Sequence, residues 1–202
     1  MIKALLEELE KCLIKAGNPI INYLDSGKPL DPAYFDLVLN LFKLEIPDEL
    51  RTLYNWKTGI KQNRAESPEF NHKLFYFGSL VESSYAIELL QILCMRNSRV
   101  PEYRFLPLFV RPVLGMSAPI LLNLSKHSPT CGMLLYESPG TGIPDPVTIY
   151  DSLKSMLETI ITCYRQGIYT LSDQGILQSN KEEEVKTSSL LNPSSYFWKH
   201  FF

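Results

Sequence analysis

His127 and Cys131 lie close together in the segment Ser125 to Gly132, and a cysteine beside an imidazole can become a thiolate nucleophile. That chemistry requires the two side chains to meet in space. Ser128-Pro129 between them instead reads as a turn, so an enzyme built on this pair is kept only as an alternative. Asp145 and Asp151 flank a strand-like run and could serve as an acid/base pair, although a turn residue and a helix cap are the simpler roles. Gly140-Thr141-Gly142 lacks the third glycine and the strand-to-helix context of a dinucleotide fingerprint, and it reads as a turn. His72, His127 and His200 are isolated from one another and from any Cys pair, so no metal or cofactor is expected. The four cysteines, Cys12, Cys94, Cys131 and Cys163, form no CxxC pair. With no secretory h-region at the start, they are expected to be reduced thiols of a cytoplasmic protein.

The elements that would position these residues follow from periodicity. Ile2, Leu5, Leu6, Leu9, Cys12, Leu13 and Ala16 recur at helical spacing, closed by Gly17 and Pro19. Asp31-Pro32 opens an almost all-round apolar helix through Phe42. Pro47 opens a third helix, packed by Leu50, Leu53 and Tyr54 and expected to end at Gly59 in a left-handed conformation. Trp56 falls off that apolar face and is the candidate partner contact. Leu74 to Phe77 reads as a strand, and Ser79 with Glu82 as a capping box opening a helix through about Cys94. Phe105–Val110, Ile120–Leu124, Met133–Tyr136 and Val147–Tyr150 are short apolar runs separated by Pro, Gly and Ser, as in an antiparallel meander. Asp151 or Ser152 caps a helix that Gly167 ends.

The fold class expected is α+β: a single domain with a mostly antiparallel sheet of about 4–6 strands and helices from both chain ends packed on it. Residues 1–175 form the domain and 176–202 a C-terminal tail. The tail's aromatics, Tyr196, Phe197, Trp198, Phe201 and Phe202, are expected to pack back on the sheet, with an exposed docking peptide as the alternative. The 202 residues are 45% apolar and 21% charged, ordinary for a globular chain, and no apolar run suffices to span a bilayer. A net charge of −2 gives no nucleic-acid footprint, although residues 1–50 carry five Lys against nine Asp/Glu.

The order of short motifs resembles the SUKH superfamily, which includes fungal cell-wall-assembly regulators and bacterial immunity proteins. Ile46-Pro47-Asp48-Glu49-Leu50 with Tyr54 and Gly59 is similar to that family's "lP-x-x-l…y…nG" helix, with Lys57-Thr58-Gly59 in place of Asn-Gly. Phe77-Gly78-Ser79-Leu80 and Glu82 resemble its strand and "sleea" helix, and Phe105-Leu106-Pro107-Leu108 its "w-x-pi" strand, with Phe for Trp. Gly132 takes the place of the strand-opening glycine, with Asn123 and Ser125 where the family has acidic residues. The helix from Ser152, the segment Tyr169 to Gly175, and Asn192-Pro193 with Trp198 match the closing pattern.

The resemblance implies an interaction protein rather than an enzyme, one that binds and blocks a cognate toxin domain. The alternative is a regulatory scaffold without a toxin partner. On this reading Pro47, Leu50, Tyr54, Gly59, Gly132, Asn192 and Pro193 are mainly structural motif residues. The partner is a protein, with no direct nucleic-acid or membrane contact.

Overall fold

The computed structural model describes residues 2–25, 31–42, 44–60, 73–76, 78–96, 104–113, 116–137 and 146–201. Gly140 to Asp145, His72 and Phe202 therefore lie outside the described residues, as do the side chains of Cys94 and Arg111. The chain begins with α1 (Ile2–Ala16), whose Leu6, Leu9 and Leu13 are buried at helical spacing. Gly17 ends it at φ 65°, and a 3₁₀ turn (Pro19–Asn22) follows, capped by the Asn18 side chain. Helix α2 (Pro32–Leu41) starts where Asp31 accepts from the Ala33 and Tyr34 N–H groups. Helix α3 is Asp48–Trp56.

The main sheet has five antiparallel strands in the order β1 (Ser79–Leu80), β2 (Phe105–Val113), β3 (Met116–Asn123), β4 (Leu134–Tyr136) and β5 (Val147–Tyr150). Helix α4 (Ser83–Arg96) separates β1 from β2 and packs on β2. Pro107 has no N–H to give a ladder, and β2 tolerates it through a register shift between Pro107 and Phe109. After β5 come α5 (Leu153–Arg165), the hairpin β6 (Tyr169–Leu171) and β7 (Leu177–Ser179), α6 (Lys181–Leu191) and α7 (Phe197–His200). The architecture is α+β in a single domain.

Several local expectations need correction. Helix α3 stops at Trp56, with Lys57 extended at φ −146°, so Gly59 does not cap it. Gly59 has φ 85° for another reason: a Cβ there would lie 2.5 Å from the Val81 carbonyl carbon and oxygen. Only glycine lets the chain pass that close to the sheet. Pro47 sits one residue ahead of the helix, and its carbonyl accepts from Leu50 and Arg51. Ser79 is in strand β1 rather than capping a helix, and α4 starts at Ser83. Leu74 to Tyr76 form a turn closed by a Phe75–Gly78 bridge, so the strand lies further along the chain than expected. Helix α2 is apolar almost all round, as its sequence reads, yet Tyr34, Leu37 and Leu41 face solvent.

The core is continuous from α1 to α7. A relay of tilted and edge-on rings runs Phe109–Phe75–Tyr150–Trp198–Phe197–Tyr136, with centroids 5.1–6.3 Å apart. It ties the turn before β1 to the C-terminal helix. The division between residues 175 and 176 falls inside the β6–β7 hairpin. Beyond it, Phe197 and Trp198 are buried, whereas Tyr196 is half-exposed and stacks on His200.

Candidate functional site

Trp56 lies at the last turn of α3, where the helix crosses α1. Its ring is half-buried against the core, and its Nε1–H donates to Glu10 Oε2 at 3.3 Å. Glu10 also holds the Lys57 ammonium at 3.2 Å, and Asp25 grips the same ammonium at 2.9 Å and the Thr58 N–H at 3.2 Å. Burial alone would lower the Lys57 amine, but the Asp25 and Glu10 carboxylates outweigh it and hold it above its ordinary value. This Trp56–Glu10–Lys57–Asp25 chain fixes the exit from α3 and the orientation of the indole.

Beside the indole, a surface groove of about 480 Å³ runs between α1 and α3, lined by Lys3, Leu6, Glu7, Thr52, Asn55 and Trp56. Its chemistry is mixed, with one indole face, one buried leucine, two opposite charges and two neutral polar groups. Such a surface suits recognition of another chain's side chains. Of the acids near it, Glu8 pairs with Arg165 across to α5. Glu7, Asp48 and Glu49 form no ion pair with a described residue.

The motif residues of the third helix serve packing. Leu50 and Tyr54 are buried, and Tyr54 meets Phe35 of α2 edge-on at 5.9 Å. The Tyr54 hydroxyl is buried without a hydrogen-bond partner among the described residues. Burial, with Glu82 adding to it, pushes its acidity well above the ordinary phenol range, so it stays protonated. Pro47, Leu50, Tyr54 and Gly59 thus seat α3, and Thr52, Asn55 and Trp56 of the same helix line the groove.

His127 and Cys131 are both exposed on the turn after β3, and no hydrogen bond joins them. The turn is organised by Asn123, a buried residue whose role the sequence reading missed. Its Nδ2 donates to Ser128 Oγ (3.1 Å) and Thr130 Oγ1 (2.8 Å), and its Oδ1 accepts from the Ser125 N–H (2.9 Å). Gly132, at φ 79°, returns the chain to β4, and its N–H donates to the Asn123 carbonyl.

Asn192 is a second buried hub. Its Oδ1 accepts from the Asp151 N–H (3.2 Å), and its Nδ2 donates to Thr159 Oγ1 (3.0 Å) and the Ser188 carbonyl (2.9 Å). Pro193 continues the turn, and its carbonyl accepts from Lys199 Nζ. Asp151 accepts from the Ser194 N–H, while Ser152 caps α5 in a capping box with Ser155. Among the described residues nothing brings Asp151 to a reactive partner, and Asp145 lies outside them.

Among the described residues no three His, Cys, Asp or Glu side chains gather as a metal site, and no helix is long and apolar enough to cross a membrane. The chain matches no model of a known protein family and no curated protein.

Proposed function

We propose that the chain is a non-catalytic protein-binding domain that neutralises a cognate bacterial toxin by stoichiometric binding, with Trp56 at the contact surface. The observation that carries the reading is the half-buried indole of Trp56, held by Glu10 at the edge of the α1–α3 groove. A pre-oriented aromatic supplies contact area at little further loss of side-chain freedom, which is the property of an interface anchor. Glu7, Asp48 and Glu49 would speed the approach of a basic partner. The toxin as partner comes from the resemblance to the SUKH superfamily.

The test is co-expression of the full chain with the product of the gene directly upstream. A one-to-one complex on size exclusion and restored growth are expected. Trp56→Ala should weaken binding by about thirtyfold, with an unchanged circular dichroism spectrum. Absence of both complex and protection would sink the toxin reading. A complex indifferent to Trp56→Ala would remove this groove from the interface.

A further inference from the structure

The hairpin β6–β7 forms a sheet of its own, apart from the five-stranded one. Its register pairs Tyr169 with Ser179, Thr170 with Gln178 and Leu171 with Leu177. At its two ends the Asn180 N–H donates to the Ile168 carbonyl and the Ser172 N–H to the Ile176 carbonyl. Hydrogen-bonded and non-hydrogen-bonded pairs alternate along an antiparallel ladder, so Thr170 turns its backbone groups toward Gln178. Tyr169 and Leu171 therefore direct their N–H and C=O groups away from β7. No described residue bonds to those groups. The outer edge of β6 is an open row of donors and acceptors, its two sets roughly 7 Å apart.

A groove of about 370 Å³ follows this edge, lined by all three residues of β6 and by the last turns of α1 and α5. Side chains of consecutive strand residues alternate between the two faces, so a groove that touches all three lies along the edge. The described residues of β7 do not line it. Cys12 and the rings of Tyr164 and Tyr169 give it an apolar wall, since both hydroxyls donate elsewhere, to the Leu74 carbonyl and to Glu184. The charged residues among its described lining are Lys15 and Arg165, both basic and exposed. Lys15 forms no ion pair with a described residue. Arg165 gives Nη2 to Glu8 at 2.5 Å, and a guanidinium fork carries further donors for a second carboxylate.

We propose that the β6 edge is a second interaction surface, which takes an extended acidic segment of a protein partner by strand addition. The segment's backbone pairs with Tyr169 and Leu171, and its carboxylates reach Lys15 and Arg165. This surface lies between α1, α5 and β6, whereas the Trp56 groove lies between α1 and α3, so the inference does not rest on the reading of that groove. A second copy of the chain is a poorer occupant. Edge-to-edge pairing of two β6 strands would bring the Lys15 and Arg165 pairs of both copies together, and like charges oppose such pairing. A nucleic-acid strand supplies negative charge but no peptide ladder for Tyr169 and Leu171.

The experiment is fluorescence anisotropy of the full chain with a labelled heptapeptide of alternating valine and glutamate. Binding is expected, and N-methylation of alternate residues should weaken it by at least about tenfold in one phase and little in the other, because one row of N–H groups faces β6. Lys15→Glu should weaken it by about tenfold. Leu171→Pro removes an outward N–H without costing a bond to β7, so it should cause a similar loss while the thermal melt stays cooperative. If Leu171→Pro does not fold, the two N-methylated peptides decide. No binding of the heptapeptide up to about 1 mM, equal binding in both N-methylated phases, or indifference to Lys15→Glu would overturn the proposal. So would equally tight binding of a valine–lysine heptapeptide or of an oligothymidine. A dimer in sedimentation that Leu171→Pro abolishes would assign the edge to a second copy and overturn it too.

Discussion

Tyr54 illustrates how a motif residue can be essential in shape and dispensable in chemistry. Its ring is buried and meets Phe35 edge-on, while its hydroxyl has no hydrogen-bond partner among the described residues. A buried polar group without a partner costs about 1–3 kcal/mol, so removing it should not destabilise the fold. Tyr54→Phe is expected to be neutral or to stabilise by about 1 kcal/mol in urea denaturation, whereas Tyr54→Ala should cost about 3–5 kcal/mol. The apolar positions of α1, α3 and α5 could be read from periodicity because they answer to a local geometric rule. The buried polar hubs could not. Asn18 contacts Lys73 and Tyr164, and Asn192 contacts Asp151 and Thr159, so their partners lie far away in sequence. In the sequence Asn18 looks like an ordinary turn asparagine, and Asn192 stands out only through the family resemblance, which says nothing of its partners.

At the scale of elements, the caps that depend on neighbours were legible. Asp31, Ser152, Gly17 and Gly167 stand where their helices start or stop. Ser79 and Glu82 carry the spelling of a capping box, yet Ser79 is taken into strand pairing with Val110. Tertiary pairing there overrides a local preference worth about 1 kcal/mol. The positive φ of Gly59 serves a close approach to Val81, not a helix end. A helix end would tolerate alanine at modest cost, but a close approach to Val81 would not. Gly59→Ala is therefore expected to destabilise by about 2–4 kcal/mol, combining a strained positive φ with a 2.5 Å clash against backbone. A loss below about 1 kcal/mol would refute the close approach of Gly59 to the Val81 backbone. The groove at Trp56 was half legible: the residue stood out, whereas its clamp by Glu10 depends on how α1 crosses α3.

At the scale of the whole molecule, the C-terminal residues complete the domain. Asn192, Ser194 and Ser195 bind the end of β5, with Ser195 Oγ donating to the Thr148 carbonyl at 3.1 Å. Phe197 and Trp198 close the ring relay. Truncation after Leu191 should therefore expose the β5 margin and the Tyr150 ring. The shortened chain is expected to form soluble aggregates on light scattering, and a monodisperse, cooperatively melting product would refute this. At the opposite margin, Ile60 bridges Val81 in parallel, receiving from the Glu82 N–H and donating to the Leu80 carbonyl. Gly59 is what lets Ile60 come that near. An open antiparallel sheet ordinarily offers two rows of unpaired backbone groups on which another chain can grow. Here single residues from outside the sheet occupy groups at both margins, which makes the Gly59 close approach a safeguard against edge-to-edge polymerisation of the protein with itself.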